Sequence, residues 1–300
     1  ARELARAGVA VDIFTRRDAP GQQPVVDWLD GVRVIHVPAG PPRHVPKEEM
    51  LPHIDAFARF VARFARRQPV MYDLVHANFF MSGMVAAHLQ RSLKLPFVIT
   101  FHALGQVRRL AQGAADGFPA QRIAIETGLM REAGRVIAEC PQDRLDMEQL
   151  YDAPSSRIAV IPCGFSPAEF WPVPMCEARR RLRIAGGRFV VLQLGRMVPR
   201  KGVDTVIQGV AMLRQRHGID AELIVVGGDD SMPDGAVPSR HDARHAAIGH
   251  DGVELARLRQ LARELGIASH VRFEGRQPRA VLRDYYAAAN VFASTPWYEP

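Results

Sequence analysis

The chain has 300 residues, 47% hydrophobic and 24% charged, with a formal net charge of +7. That length suits two domains with a core each, and the composition excludes a disordered or fibrous chain. No apolar run reaches the roughly 18–20 residues of a membrane span, and the basic balance favours anionic partners such as nucleotides and phosphorylated substrates.

Arginine carries most of the positive charge and is scattered along helical segments. A solvated basic surface accounts for that pattern, and the same surface leaves peripheral membrane contact open. A nucleic-acid binder would interleave basic residues with exposed aromatics, and no such stripe occurs, so nucleic acid is not expected as a partner. Cys140, Cys163 and Cys176 are too widely spaced for a zinc site or a disulfide framework. They fit a reducing compartment, and a cytoplasmic location is expected.

In chain order, residues 1–8 read as the last turns of a helix closed by Gly8, and residues 9–14 as a strand. A strand and a loop that lead into this first helix are expected upstream. Further strand candidates lie at 32–37, 73–77, 97–101, 136–138 and 158–161. Helical candidates lie at 47–67, 82–93, 121–133 and 143–151. In the first of these Leu51, Ile54, Phe57, Val61 and Phe64 recur at helical spacing. Strands alternating with helices predict a parallel sheet covered on both faces.

Residues 162–174 contain four prolines and a glycine and show no period, so they read as a break between domains. The alternation then restarts, with strands at 189–194, 222–226, 271–274 and 291–294. Helices are expected at 204–216, 253–265 and 279–289. The polar stretch 227–252 reads as a long surface loop. The resulting boundaries are a first domain over 1–165, a linker over 166–186 and a second domain over 187–300.

Three places carry candidate chemistry. Strand 189–194 runs into Gly195-Arg-Met-Val-Pro-Arg-Lys-Gly202 and then a helix start. Glycines there let the backbone approach a ligand, helix N-termini attract anions, and Arg196 and Lys201 suit phosphate oxygens. A solvated basic turn is the competing reading. His102 follows strand 97–101 at the end that faces ligands in an open α/β sheet; a structural histidine is the alternative. Glu299 follows Trp297 and Tyr298 at the end of the last strand, where it could bind sugar hydroxyls, or be a plain surface acid. Asp229, Asp230 and Asp234 lack calcium-loop spacing, and His241, His245 and His250 lack zinc spacing, so no metal is expected. No dinucleotide fingerprint follows Gly227-Gly228.

Several stretches, in order along the chain, resemble one family. They are Thr100-Phe-His-Ala-Leu-Gly105, Val160-Ile-Pro-Cys-Gly-Phe165, the loop Gly195–Gly202, Val271-Arg-Phe-Glu-Gly275, and Tyr285 to Phe292 running into Tyr298-Glu-Pro300. The set is similar to the retaining glycosyltransferases of family 4, with a tone nearest to bacterial sucrose synthase and sucrose-phosphate synthase relatives. The resemblance implies the α/β GT-B fold, two Rossmann-like domains with parallel sheets facing across a cleft. It implies a hexose moved from a nucleoside-diphosphate sugar, a UDP-sugar by preference, to a hydroxyl of a sugar, sugar phosphate or glycan, with retention and without cofactor or metal.

By the same resemblance Arg196 and Lys201 match the basic pair on the donor diphosphate. His102 matches a first-domain histidine near the donor sugar. Glu299 matches the first glutamate of the family's paired-glutamate motif, and Gln277 falls where the nucleobase is held. Gly195 belongs to the donor loop. The run Gly164-Phe-Ser-Pro departs from the family, which has an aspartate there. A non-catalytic nucleotide-sugar-binding fragment and a sugar-nucleotide epimerase of the same architecture are the alternatives.

Overall fold

Short β-branched runs set the strands, and helices fill the spaces between them. In the computed structural model, residues 1–228 and 250–298 are described. The chain divides into two units, Ala1–Cys163 and a second that begins at Gly164.

The first unit opens with α1 (Arg2–Arg6), β1 (Val11–Arg16), β2 (Val25–Leu29) and β3 (Val32–Val37). β1 pairs with β3 in parallel, and β2 pairs with β3 antiparallel. β2 was not expected. Leu29 pairs with Val32 across Asp30-Gly31, and Gly31 sits at φ +72°, so an Asp-Gly turn closes a hairpin. This edge therefore departs from the all-parallel expectation.

A second sheet in this unit, ordered β4-β5-β6-β7, is parallel throughout. Its strands are β4 (Val75–Asn78), β5 (Phe97–Thr100), β6 (Arg135–Ala138) and β7 (Ile158–Val160). Helices α2 (Ile54–Arg66), α3 (Phe80–Leu93), α4 (Gly105–Gln112), α5 (Gln121–Glu132) and α6 (Pro141–Tyr151) accompany them. The helix expected from 47 begins as an α-helix only at Ile54, because Pro46 and Pro52 confine the preceding turns to 3-10 geometry. α4 was missed, since Val107 and Leu110 alone give it no apolar period. Phe80, Phe97, Ile99, Phe101, Met130 and Val136 are fully buried around this sheet. Each contributes about 1.5–3 kcal/mol of burial.

The second unit has one sheet, ordered β10-β9-β8-β11 and parallel at every pairing. Its elements are α7 (Met175–Arg181), β8 (Phe189–Leu194), α8 (Val203–His217), β9 (Ala221–Val226), α9 (His250–Glu264), β10 (Val271–Phe273), α10 (Arg279–Ala288) and β11 (Val291–Phe292). β9 is buried along its whole length, as a central parallel strand must be. α7 lies inside the stretch expected to be linker. It packs on α10, and Arg179 donates to the Ala288 carbonyl at 3.0 Å and to Asn290 Oδ1 at 2.7 Å. No described helix is long and apolar enough to cross a membrane.

Candidate active-site residues on the two units

Parallel strands put all their carboxyl ends at one edge, and in an open α/β sheet that edge meets ligands. On the first unit this edge gathers one side chain from each of four adjacent strands. Asn78 ends β4, His102 lies just beyond β5, Glu139 directly follows β6, and Cys163 lies beyond β7. His102 Nδ1 donates to Glu139 Oε1 at 3.0 Å and lies 3.1 Å from Oε2. Its Nε2 lies 2.9 Å from Asn78 Oδ1. Glu139 Oε1 also accepts the Cys163 thiol at 2.8 Å, and that hydrogen bond pushes the Cys163 pKa up. His102 is the residue that sequence reading picked out. Asn78, Glu139 and Cys163 are the partners it missed. The available signal was position alone, since each lies at or just past the carboxyl end of a strand.

The backbone under His102 is held by a buried polar network. His102 sits at φ +59°, a left-handed conformation that costs a residue with a side chain about 1 kcal/mol or more. Arg122 Nη2 donates to the Ala103 carbonyl at 2.6 Å, and Arg122 Nε donates to Glu126 Oε1 at 2.7 Å. Glu126 Oε2 accepts the Gly105 N–H at 2.9 Å and the Tyr151 hydroxyl at 2.6 Å. The Tyr151 oxygen in turn accepts the Gln106 N–H at 2.7 Å. Arg122 and Glu126 are 1% and 0% exposed, so this is an ion pair removed from water. Rings of Phe79, Phe80 and Phe118 surround the guanidinium at 4.9, 5.1 and 4.4 Å. Burial pushes the Glu126 carboxyl up, against the pull of Arg122 and of its hydrogen-bond donors. Burial likewise raises the Tyr151 hydroxyl. A Cβ on Gly105 would fall 2.9 Å from both Arg122 Nε and Glu126 Oε2, so only glycine fits there.

On the second unit the loop Gly195–Gly202 leaves the carboxyl end of β8 and enters α8. Gly195 N–H donates to the Val226 carbonyl at 3.0 Å, and Gly227 N–H donates to the Gly275 carbonyl at 2.7 Å. These bonds tie the ends of β8, β9 and β10 together. Met197 is fully buried and pins the loop to the core. Its neighbour Arg196 is exposed, and no described residue accepts a hydrogen bond from its guanidinium. Pro199–Lys201 forms a 3-10 turn, and Gly202 at φ +62° leads into α8. Among the described residues no side chain caps α8 from its N-cap position Gly202, and Asp204 in its first turn accepts the Thr205 N–H at 3.0 Å and pairs with Arg257 at 3.0 Å. The loop thus offers two cations beside a helix start, an arrangement that attracts an anion.

The last described segment is tied to the same loop. Trp297 N–H donates to the Arg200 carbonyl at 2.9 Å, and the Arg200 guanidinium lies 5.7 Å from the Tyr298 ring centre. Gln277 turns its amide nitrogen onto the Glu274 carbonyl at 2.6 Å, so part of its amide serves the turn. Glu299 lies outside the described residues, as do Asp229, Asp230, Asp234, His241 and His245. Among the described residues no group of three or more His, Cys, Asp and Glu side chains could hold a metal ion. Gly195, Arg196, Lys201 and Gln277 therefore share one strand edge of the second unit, and His102 belongs to the first.

Known proteins share this sequence along its whole length. Residues 1–164 match the family described as Glycosyl transferase 4-like domain, and residues 175–300 match Glycosyl transferases group 1. A D-inositol 3-phosphate glycosyltransferase 1 of Catenulispora acidiphila is 36% identical over 97% of this chain and 65% of that protein. A D-inositol 3-phosphate glycosyltransferase of Acidothermus cellulolyticus is 35% identical over 97% of this chain and 62% of that protein. The chain thus spans less than two thirds of the length of these two relatives. Sucrose-phosphate synthase from Thermosynechococcus elongatus aligns with a TM-score of 0.82 at 28% identity, covering 99% of this chain and 68% of that one. The α/β GT-B class expected from the resemblance is thereby the class found. The chain belongs to the glycosyltransferase family in which a glycosyl transferase 4-like domain is followed by a group 1 glycosyl transferase domain.

Proposed function

We propose that the protein moves a hexose from a nucleoside-diphosphate sugar, a UDP-sugar, to a hydroxyl acceptor with retention at the transferred carbon. The observation that carries this reading is the loop Gly195–Gly202, which carries Arg196 and Lys201 from the carboxyl end of β8 into the start of α8. A nucleoside diphosphate leaving with its charge needs that stabilisation, which acts where negative charge develops. The relatives' names speak of inositol 3-phosphate, which supports a phosphorylated polyol as the acceptor class.

In this reading the bond from the sugar carbon to the diphosphate oxygen breaks, and the charge that builds on that oxygen is met by Arg196 and Lys201. The acceptor hydroxyl attacks from the face the diphosphate leaves, and its proton passes to the departing phosphate oxygen. No pair of carboxylates at glycosidase spacing is required. Two cations and a helix start neutralise the diphosphate, so the step uses no metal. Gln277 is assigned to the nucleobase, and Glu299 and His102 to the donor sugar.

The test is calorimetric titration with UDP, ADP and GDP at one salt concentration, repeated with Lys201→Ala. Binding of UDP in preference to the others, weakened at least about tenfold by the substitution, is the expected result. Release of UDP from UDP-glucose only when a polyol phosphate is supplied would complete the assignment. No binding of any nucleotide would overturn it, and sugar interconversion without acceptor would mark an epimerase instead.

A further inference from the structure

We infer that Glu139 is a positioning residue that fixes the His102 ring, with Asn78 as the opposing stop. The inference rests on the reading that His102 meets the donor sugar. His102 is held twice, by separate sets of residues. Its backbone is set by the buried Arg122–Glu126 pair through the Ala103 carbonyl and the Gly105 N–H. Nothing in that network touches the ring. The ring is set by Glu139 on one side and Asn78 on the other, at 3.0 and 2.9 Å.

A partly exposed histidine–glutamate contact on a surface is worth little by itself, and the His102 side chain is 45% exposed. This contact differs because the carboxylate is itself held at both ends. Glu139 N–H donates to Asp143 Oδ2 at 2.9 Å, and Asp143 N–H donates to Cys140 Sγ at 3.4 Å, so the start of α6 grips the Glu139 backbone. The Cys163 thiol, beyond the next strand, donates to Oε1 at 2.8 Å. Residues at the end of β4 and just beyond β5, β6 and β7 thus form one line of hydrogen bonds along the ligand-facing edge of the sheet. A loosely solvated glutamate would leave the ring free to turn about its side-chain torsions.

The carboxylate keeps a proton on Nδ1, and acceptor oxygens on both ring nitrogens, Glu139 on one side and Asn78 Oδ1 on the other, fix the ring plane His102 presents. A group pre-set in this way needs no reorganisation when substrate arrives. Misplacing it by about 1 Å can cost on the order of a hundredfold in rate. Loss of Glu139 therefore acts on turnover through His102. Nucleotide affinity is left unchanged, because the cations assigned to the diphosphate lie on the second unit.

The experiment compares the wild type with Glu139→Ala and Glu139→Gln, using protein labelled with nitrogen-15 in histidine. His102 resonances are assigned with His102→Gln. In the wild type, Nδ1 of His102 is expected to resonate as a protonated, hydrogen-bonded nitrogen. In Glu139→Ala the proton is expected to leave Nδ1 for Nε2, which still faces Asn78 Oδ1, UDP affinity to stay within about twofold, and kcat to fall about tenfold or more. Glu139→Gln keeps an acceptor oxygen for Nδ1, so part of both signals returns. Unchanged His102 ring signals in a folded Glu139→Ala protein would overturn the inference. Loss of UDP affinity in parallel with turnover would also overturn it, by marking a folding role. A wild type that transfers no sugar, but whose ring signals respond to Glu139→Ala as described, sinks the functional reading and supports the positioning role.

Discussion

Gly202 lies directly against Thr295: a Cβ on Gly202 would fall 1.9 Å from the Thr295 carbonyl oxygen, and Thr295 Oγ1 donates to the Gly202 carbonyl at 2.7 Å. This contact joins the cationic loop to the segment that follows β11. Gly202 also sits at φ +62°, where a side chain is strained. Gly202→Ala is expected to lower unfolding free energy by about 2–4 kcal/mol, the sum of a left-handed alanine and a displaced backbone carbonyl. The urea midpoint reads this directly. UDP affinity should drop with it, because the helix start and the loop shift together. An alanine variant that unfolds at the wild-type midpoint would show that the two segments are not packed as described.

Arg196 and Lys201 should not contribute equally. Arg196 is exposed and Lys201 is half-buried at the base of the loop. An exposed charge is screened by salt more than a partly buried one. Lys201→Ala is therefore expected to weaken UDP binding about tenfold or more, and Arg196→Ala only a few-fold. The Arg196 effect should shrink at about 0.5 M salt, while the Lys201 effect largely persists. Equal losses with equal salt dependence would place both cations at the same depth.

The Arg122–Glu126 pair gives a pH-dependent prediction. Removing one partner of a buried pair strands the other, at a cost of about 3–5 kcal/mol. Arg122→Met keeps the volume and removes the cation. Burial already holds the Glu126 carboxyl above its ordinary 4.5, with Arg122 opposing that rise. Without Arg122 the rise is larger. An acid with a raised folded pKa contributes stability that is fully present below its unfolded value and is lost as pH climbs through the folded value. The variant's deficit relative to wild type should therefore be largest near about pH 8 and shrink toward about pH 5. Urea unfolding at several pH values measures it. A deficit independent of pH would mean that Glu126 does not titrate in that range.

Much of this architecture was legible from the sequence because parallel strands are short apolar runs between periodic helices. Residues 189–194 and the loop after them read as strand, cationic turn and helix start, and β8 and α8 fall there. What escaped had no local pattern. β2 depended on one Asp-Gly pair, and α4 on a surface helix with hardly an apolar face. Arg122 looks like any arginine on an amphipathic helix. Phe79 and Phe80 from a distant helix start, Phe118 four residues before it, and a glutamate one turn on make it a core residue. Glu139 escaped for the converse reason. An acid after a three-residue apolar run reads as a surface residue until the neighbouring strands bring His102 and Cys163 to it.

The Cys163 thiol offers a chemical reporter of that edge. It is exposed and donates to Glu139, and that contact raises its pKa above the ordinary 9.0. The thiolate is the reactive form, so a raised pKa slows alkylation. Glu139→Gln removes the charge that opposes the thiolate. Iodoacetamide labelling of Cys163 near about pH 8, read by peptide mass spectrometry, is expected to speed up several-fold in that variant. Cys140 and Cys176 provide internal controls whose rates should hold steady. A Cys163 rate that does not change would remove the Cys163–Glu139 hydrogen bond from the description.

Gln193 tests the packing beneath the cationic loop. It lies in β8, two residues before Gly195, and is 2% exposed. Its Oε1 is buried and has no hydrogen-bond partner among the described residues. A buried polar atom left unpaired costs about 1–3 kcal/mol. Leucine has a similar volume and no polar atom, so Gln193→Leu should raise the unfolding free energy by about 1 kcal/mol or more. Two measurements on this variant separate a packing cost from a ligand contact. A higher urea midpoint with unchanged UDP affinity is the expected outcome, and it assigns the orphan oxygen to the fold alone. A higher midpoint with weakened UDP binding would instead make Gln193 part of the nucleotide site, with its unpaired oxygen waiting for a donor from the ligand.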